Sequence, residues 1–493
     1  QQYQEAIQEL LKGSHLIRNG SPEMTKSYES QFKLSLMQIA DITLLEKLFN
    51  EHKDSPFADL LLFRLGTLAH EKGRVAPAEK HLRTLVSDYP QTSHYQEAVD
   101  ILRILQNQNI VNKATVGVLL PLTGKFARFG QRSLLGIELA FRLFNKKEPD
   151  SGVTLIVEDA GETPEEAIAA LERLYFDHHV VAVIGPLLSK GIDQITQKAQ
   201  DLNIPLLSLA QQRGALDRDF VFNVAITPEQ QAAEIARYAI QTAGYKKLCI
   251  MHPQDRFGLE YRNAFWDSVE SLGGEITGVE SYTSGETDFK DPIDKIAGYY
   301  YKEARKDEWD ELEAYRKVHG ITKNTRKTSQ HFRVQPQLGC DAVFIADEAR
   351  AVGQILPTFA YRDVDNVPFL GISTWNTQEL LQRAQKYAEN SVFVDSFFAE
   401  SDTPEITSFS RRFEQMTGEK PSGIEALAYD AALLVERVLI VTDATTSRRE
   451  VRDRLMEIQN FTGVTGNLSY QEGQFKRRLR VLTVKNGTIH EAG

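Results

Sequence analysis

The chain has 493 residues, about three times a typical ~150-residue domain, so a single compact core does not account for it. Apolar residues make up 42% and charged residues 25%, which excludes a disordered polymer. Asp+Glu total 68 against 57 Lys+Arg, a net charge of −11, which argues against a general nucleic-acid or anionic-membrane binder. Apolar runs such as Val180 to Leu188 are strand-sized, short of the ~20 residues that span a bilayer. The chain begins at Gln1 and its first methionine is Met24; a processed product, with a leader removed, is the expectation. Cys249 and Cys340 both adjoin strand-like runs and are expected to be buried free thiols; so few cysteines exclude a disulfide-built scaffold or a Cys-built zinc site.

From Tyr3 to about Gln108 apolar residues recur at three- and four-residue steps, the period of helices. Asp54-Ser55-Pro56 and Asp88-Tyr89-Pro90 stand 34 residues apart. Between them Leu62, Leu65, Gly66, Ala69, Ala78 and Leu82 alternate large and small, as close antiparallel helices require, and Pro90 stops the second helix. Residues 59–92 resemble a tetratricopeptide unit, with degenerate helical pairs on either side. A generic helical hairpin bundle is the alternative; in both cases the surface serves contact, because no polar cluster there has a catalytic pattern. His70, His81 and His94 fall on different helical faces and are expected to be solvated.

Near Ala114 the period changes. Strands are predicted at Ala114–Leu120, Val153–Glu158, Val180–Ile184 and Pro205–Leu209, with helices at Arg132–Phe144, Pro164–Phe176 and Lys190–Leu202. A second series has helices Glu229–Ala243 and Leu259–Leu272 and strands Lys247–His252, Glu275–Tyr282, Asp341–Ala346, Pro368–Gly371 and Val392–Phe397. Strands separated by helices imply parallel sheets covered on both faces, and two series imply two doubly wound lobes. The fold class is therefore α/β, two doubly wound lobes preceded by an all-α domain. The boundaries expected are 1–111 for the helical domain and 112–493 for the rest. Lobe 1 takes 113–227 and 402–452, and lobe 2 takes 228–401 and 453–493 with a charged insertion at 298–338. That insertion, with Tyr299-Tyr300-Tyr301 and the run Lys302 to Arg316, reads as a solvated surface arm. Hinges are expected near Ile226–Pro228 and Ser401–Pro404.

Ordered pieces of the second part carry a resemblance. They are Val116 to Gly124, Phe129-Gly130, Val183 to Ser189, Phe257-Gly258, Gly371-Ile372-Ser373, Ala428 to Ala431 and Phe461 to Gly466. Together, over about 113–493, they resemble type I periplasmic binding proteins. The helical repeat ahead of them, the Ile184 to Leu187 loop and Trp375-Asn376 are similar to the branch described as penicillin-binding-protein activator lipoproteins. That resemblance implies a non-enzymatic envelope protein, in the periplasm and lipid-anchored to the outer membrane through a removed N-terminal segment. It would act on peptidoglycan synthases through the helical domain. The rival reading is a solute receptor of an ABC-type importer.

The resemblance also implies a ligand cleft. Its lobe-1 wall would hold Leu122, Thr123, Phe129, Leu187, Ser189, Ala210, Gln211 and Gln212. Its lobe-2 wall would hold Phe257, Asp347, Glu348, Ser373, Thr374 and Trp375. Ser189 matches the carboxylate-binding serine of amino-acid receptors and Phe257 the aromatic. After Gly371, where an acidic anchor for the ammonium is expected, stand Ser373, Thr374 and Trp375; an ammonium there lacks a charge partner. Asp347 and Glu348 are the candidate substitutes, and Trp375 reads equally as a ligand stack or a wedge between lobes.

No cofactor or metal is expected. Gly124-Lys125 fails as a phosphate loop, because six residues lie between Gly117 and Gly124 where the motif wants four, and Phe126 replaces the Ser or Thr that meets magnesium. No Gly-x-Ser-x-Gly elbow, His-Glu-x-x-His or calcium-loop spacing occurs. His178-His179 closes a helix and reads as a C-terminal cap.

Overall fold

The computed structural model describes residues 2–14, 22–143, 152–211, 218–321, 334–440 and 447–492. Two compact units divide the chain, Gln1–Asn112 and Lys113–Gly493.

In the first unit the described residues form six helices, Gln2–Gly13, Pro22–Met37, Ile42–Glu51, Ala58–Glu71, Val75–Asp88 and Tyr95–Asn107. Leu61, Leu65, Ala69, Ala78, Leu82 and Leu85 build a core from which water is excluded. Gly66 lets the two central helices close up: a Cβ there would sit 2.5 Å from the Leu82 side chain. Arg64 is buried beside Glu71, 3.0 Å away, and donates to the Ile39 carbonyl at 3.3 Å, so it ties two helices together. The histidines depart from the solvated reading. The His94 ring stacks on Phe63 of the fourth helix with centroids 4.2 Å apart, and His81, on the fifth helix, is half-buried beside Glu46 of the third, so both are held against a helix two along the chain.

The second unit holds two sheets. The strands are β1 (Asn112–Leu120), β2 (Thr154–Asp159), β3 (Val180–Ile184), β4 (Leu206–Ser208), β5 (Val221–Asn223), β6 (Lys247–Pro253), β7 (Glu275–Tyr282), β8 (Ala342–Ile345), β9 (Phe369–Gly371), β10 (Val392–Asp395), β11 (Phe461–Gly463), β12 (Gly466–Gln471), β13 (Gln474–Lys476), β14 (Arg480–Lys485) and β15 (Thr488–Glu491). One sheet runs β11-β12-β13-β5-β4-β3-β1-β2 and the other β15-β14-β10-β9-β8-β6-β7. Stripped of the C-terminal strands, both lobes have one order: the first strand lies between the second and the third. In such sheets the crevice at this switch point is where ligands bind.

The sheets are mixed rather than purely parallel. The β11–β12, β12–β13, β10–β14 and β14–β15 pairs are antiparallel, while β1–β2, β3–β4, β6–β8 and β8–β9 are parallel. Residues 453–493 do not all belong to lobe 2, as expected from sequence. β13 pairs with β5 through Gln474 and Asn223, and the Asn223 amide donates to Gly473 at 2.9 Å, which draws β11 to β13 into the lobe-1 sheet. The chain therefore crosses between lobes three times.

Two arginines, Arg477 buried and Arg480 half-buried, bind the crossings. Arg477 donates to the Val224 carbonyl and to the Thr465 hydroxyl, while Arg480 reaches Ser401 and Thr403, each at 3.2 Å. Asp430, fully buried, takes the Val464 and Thr465 amides at 2.8 Å. Cys249 and Cys340 form a disulfide, not free thiols. Asp341 accepts the Lys246 and Lys247 amides at 2.8 and 2.9 Å, which brings the start of β6 against the segment before β8 and places the two Cα atoms 5.7 Å apart.

Candidate functional site: the cleft between the lobes

Each lobe offers the turns that follow its parallel strands. After β1, Pro121 begins a turn that the helix Ala127–Ala140 closes on: a Cβ on Gly130 would sit 1.9 Å from the Pro121 carbonyl oxygen. After β6 the same device recurs, a Cβ on Gly258 falling 2.1 Å from the Pro253 oxygen. Only glycine allows helix and turn to approach this closely.

On the lobe-1 side Asp159 organises the first turn. It accepts from the Leu122 amide at 2.8 Å, the Thr123 hydroxyl at 2.5 Å and the Gly161 amide at 3.0 Å. Burial alone would raise its pKa; the Thr123 hydroxyl and the backbone amides outweigh that and hold it below the usual carboxylate range. Leu122 and Thr123, expected in the cleft, are thus engaged within their own lobe. Beside them lies a cavity of 470 Å³ lined by Lys125, Phe126, Glu162, Leu187, Ser189 and Gln211 among others. A second cavity, of 270 Å³, shares Ser189 and Gln211 and adds Asp193 from lobe 1 with Arg256, Phe257 and Glu260 from lobe 2. Of the residues named from sequence, these two spaces bring together Leu187, Ser189, Gln211 and Phe257. Phe129 is 45% exposed on its helix and lines neither cavity, and Ala210 is buried with its amide on the Ser208 hydroxyl. Gln212 lies outside the described residues.

The lobe-2 side is built differently from expectation. Trp375 is completely buried. Its ring occupies the space a Cβ on Gly371 would need, 2.3 Å away, and its Nε1 donates to the Asp347 carbonyl at 3.2 Å. It neither stacks on a ligand nor wedges the lobes; it roofs the end of β9. The Thr374 hydroxyl donates to the same carbonyl at 2.8 Å. Asp347 turns its carboxylate to the Tyr282 hydroxyl at 2.7 Å and the Glu348 amide at 2.7 Å, and burial pushes its pKa up. Glu348 is exposed at the start of the helix Ala349–Tyr361. Neither carboxylate lines either cavity.

Two buried residues that the sequence reading missed connect this wall. Gln231 accepts from the Ser373 amide at 3.0 Å and donates to the Tyr261 hydroxyl at 2.6 Å. Burial pushes the Tyr261 phenol well above its ordinary pKa, and Gln211 of lobe 1 and Gln231 draw it back only in part. The Phe257 ring packs on Tyr261 with centroids 4.8 Å apart. A signal was present: Gln231 falls in step with buried Pro228, Ala232 and Ile235, and Tyr261 with Gly258, Phe265 and Val269. Behind the wall, Asn376 donates to Asp395 at 2.8 Å and to the Phe397 carbonyl at 2.9 Å; burial raises the Asp395 pKa to about 6. Among the described residues no three His, Cys, Asp or Glu side chains converge as metal ligands, and no helix is long and apolar enough to cross a membrane.

Two lobes of one topology facing each other across switch-point turns define a cleft-bearing binding protein. The family profile described as "Periplasmic binding protein" matches residues 113–299 and 329–488, and the chain belongs to that family, with its type I fold. Among curated proteins it is similar to Leu/Ile/Val-binding protein homolog 3 of Brucella melitensis, 25% identical over 37% of this chain and 50% of that one. It is also similar to the penicillin-binding protein activator LpoA of Vibrio cholerae, 27% identical over 38% of this chain and 32% of the relative. The matches thus span half or less of these relatives' length. Among solved structures, an ABC transporter substrate-binding protein from Sphaerobacter thermophilus superposes with TM-score 0.60 at 21% identity, covering 76% of this chain and 95% of its own. The isoleucine complex of the branched-chain amino acid binding protein LivJ from Streptococcus pneumoniae gives 0.56 at 21% identity, covering 76% and 97%.

Proposed function

We propose that this chain is a non-enzymatic envelope protein that regulates peptidoglycan synthases by contact, as an activator of penicillin-binding proteins. The observation that carries the reading is the helical unit. Solved receptors are covered almost end to end by about three quarters of this chain, and the family profile begins at residue 113. A solute receptor works with its two lobes alone, whereas stacked helical pairs of the tetratricopeptide kind present an extended surface to another protein. The relative from Vibrio cholerae bears an activator's name, and the Cys249–Cys340 disulfide suits an oxidising compartment such as the periplasm. An N-terminal lipid anchor to the outer membrane belongs to the same proposal. Within it, residues 1–111 dock the partner and the lobes carry a small-molecule site.

The test is a pull-down with penicillin-binding proteins from membranes, comparing the full chain with one that starts at Asn112 and whose melting is followed by circular dichroism. Capture by the full chain and loss in the folded shorter form is the expected result. Equal capture by both removes the main support for regulation through the helices. The second reading, an importer's receptor, is favoured by the two cavities that share Ser189 and Gln211; solute uptake lost on gene deletion would establish it.

A further inference from the structure

The smaller of the two cavities is walled by both lobes. The charged side chains that line it are Asp193 of lobe 1 and Arg256 and Glu260 of lobe 2. Glu260 lies one turn along the helix Arg256–Ser271 and takes the Arg256 Nε at 2.7 Å. Only that nitrogen is engaged, and the Arg256 side chain is 78% exposed, so its two amino nitrogens are free. Asp193 is exposed in the first turn of the helix Ile192–Leu202. Among the described residues its carboxylate has no ion-pair partner, yet its charge reaches Arg256 across the cavity. The place of Arg256 runs against local preference. It is the first residue of its helix, where the dipole favours an anion and opposes a cation. A carboxylate facing it from the other lobe offsets that.

We infer that Asp193 and Arg256 form an ionic latch between the lobes, which draws the cleft shut when no ligand is present. Hinge motion about the crossings supplies the approach. As the cavity narrows, the amino nitrogens of Arg256 meet the Asp193 carboxylate in charge-assisted hydrogen bonds. Glu260 works against the latch in two ways: it competes for the same guanidinium, and its own charge repels Asp193. The lobes thus carry a closing force of their own, and a ligand only adds to a closed population that already exists. An exposed pair is a modest force, worth about a two- to fivefold change in that population, and salt weakens it. The latch goes beyond the contact reading of the helical unit and does not depend on it.

The experiment measures the distance between the lobes by double electron–electron resonance on the full chain with no ligand added. Spin labels go on Glu165→Cys in lobe 1 and Asn263→Cys in lobe 2, both exposed positions. Cys249 and Cys340 are joined to each other and take no label. The short-distance population is expected to be at least about twofold larger in about 50 mM than in about 500 mM NaCl. D193N and R256Q should each bring the low-salt population down to the high-salt level, and the exchange D193R/R256D should restore most of it. E260Q should raise it above that of the native chain, because the competing carboxylate is gone. A population that ignores salt, or one that D193N leaves unchanged, would overturn the latch. So would a fall in E260Q equal to that in R256Q, because the effect would then arise within the lobe-2 helix rather than across the cleft. None of these outcomes bears on the pull-down with the helical unit.

Discussion

The two walls of the cleft start from the same topological plan and end in opposite chemistry. Phe129-Gly130 in lobe 1 and Phe257-Gly258 in lobe 2 occupy the same place after the first strand of their sheets, each glycine pressed on a proline carbonyl. Yet Phe129 is 45% exposed, while Phe257 lies half-buried on the Tyr261 ring. The lobe-1 turns hold their own backbone with Asp159 and leave Ser189, Lys125 and Lys190 exposed. The lobe-2 turns are locked from within by Trp375, Gln231 and Tyr261. A wall whose polar groups are already partnered contributes shape; a wall with exposed polar groups is free to bond across the cleft.

The largest expected effect separates the two walls directly. Trp375→Ala empties a fully buried site above Gly371 and leaves the Asp347 carbonyl without the indole donor, so a loss of about 3–5 kcal/mol in urea unfolding of the two-lobed unit is expected. Lys190→Ala, on the exposed wall, is expected to stay within about 0.5 kcal/mol. Comparable losses in both variants would erase the distinction.

A smaller effect comes from the carboxyl behind the lobe-2 wall. Asp395 has a folded pKa of about 6, above the roughly 3.9 of an unfolded aspartate, so the folded state binds more protons between those values. Its sign follows: stability is greatest at the acid end of that window and falls as pH rises through about 6, by about 3 kcal/mol over the whole window. Unfolding midpoints at pH 5 and pH 7.5 should therefore differ more in the native chain than in Asp395→Asn. An identical pH dependence in both would mean that this carboxyl is not held neutral.

Much of this was legible in the sequence, and the exceptions have physical causes. The strands of both parallel series stand out as apolar runs because both faces of such strands are covered, and β3 and β7 have the bounds that the sequence predicts. β5 and β11 to β13 did not stand out. Their pairing rests on one register, Gln474 opposite Asn223, joining segments about 250 residues apart with no local signature. The same blindness put β11 to β13 in the wrong lobe, while β14 and β15 lie in the lobe-2 sheet as expected. Ser189, Gln211 and Phe257 were found because switch-point turns are where function collects. Trp375 was misplaced because a residue in such a turn reads as exposed until Gly371 is seen to leave room for its ring. Gln231 and Tyr261 were passed over because polar atoms on the apolar face of a helix are ordinarily taken as core; only the fold brings Ser373 to them. Lys125, examined as part of a failed phosphate loop, belongs to the cavity wall instead.

The smallest expected effect asks whether Tyr261 belongs to its own lobe or to the contact between lobes. Its hydroxyl is reached by buried Gln231 from lobe 2 and by exposed Gln211 from lobe 1. Removing it in Tyr261→Phe strands the Gln231 amide in a dry site, which costs about 1–2 kcal/mol. Gln211 recovers water at once and loses little. A double-mutant cycle should therefore give a coupling of about 1 kcal/mol between Tyr261 and Gln231 and well under half of that between Tyr261 and Gln211. If the coupling to Gln211 were the larger, the hydroxyl would act as a latch between the lobes, and the lobe-2 wall would be completed only when the cleft closes. If Tyr261→Phe were neutral, the wall would hold its shape through Trp375 and Phe257 alone.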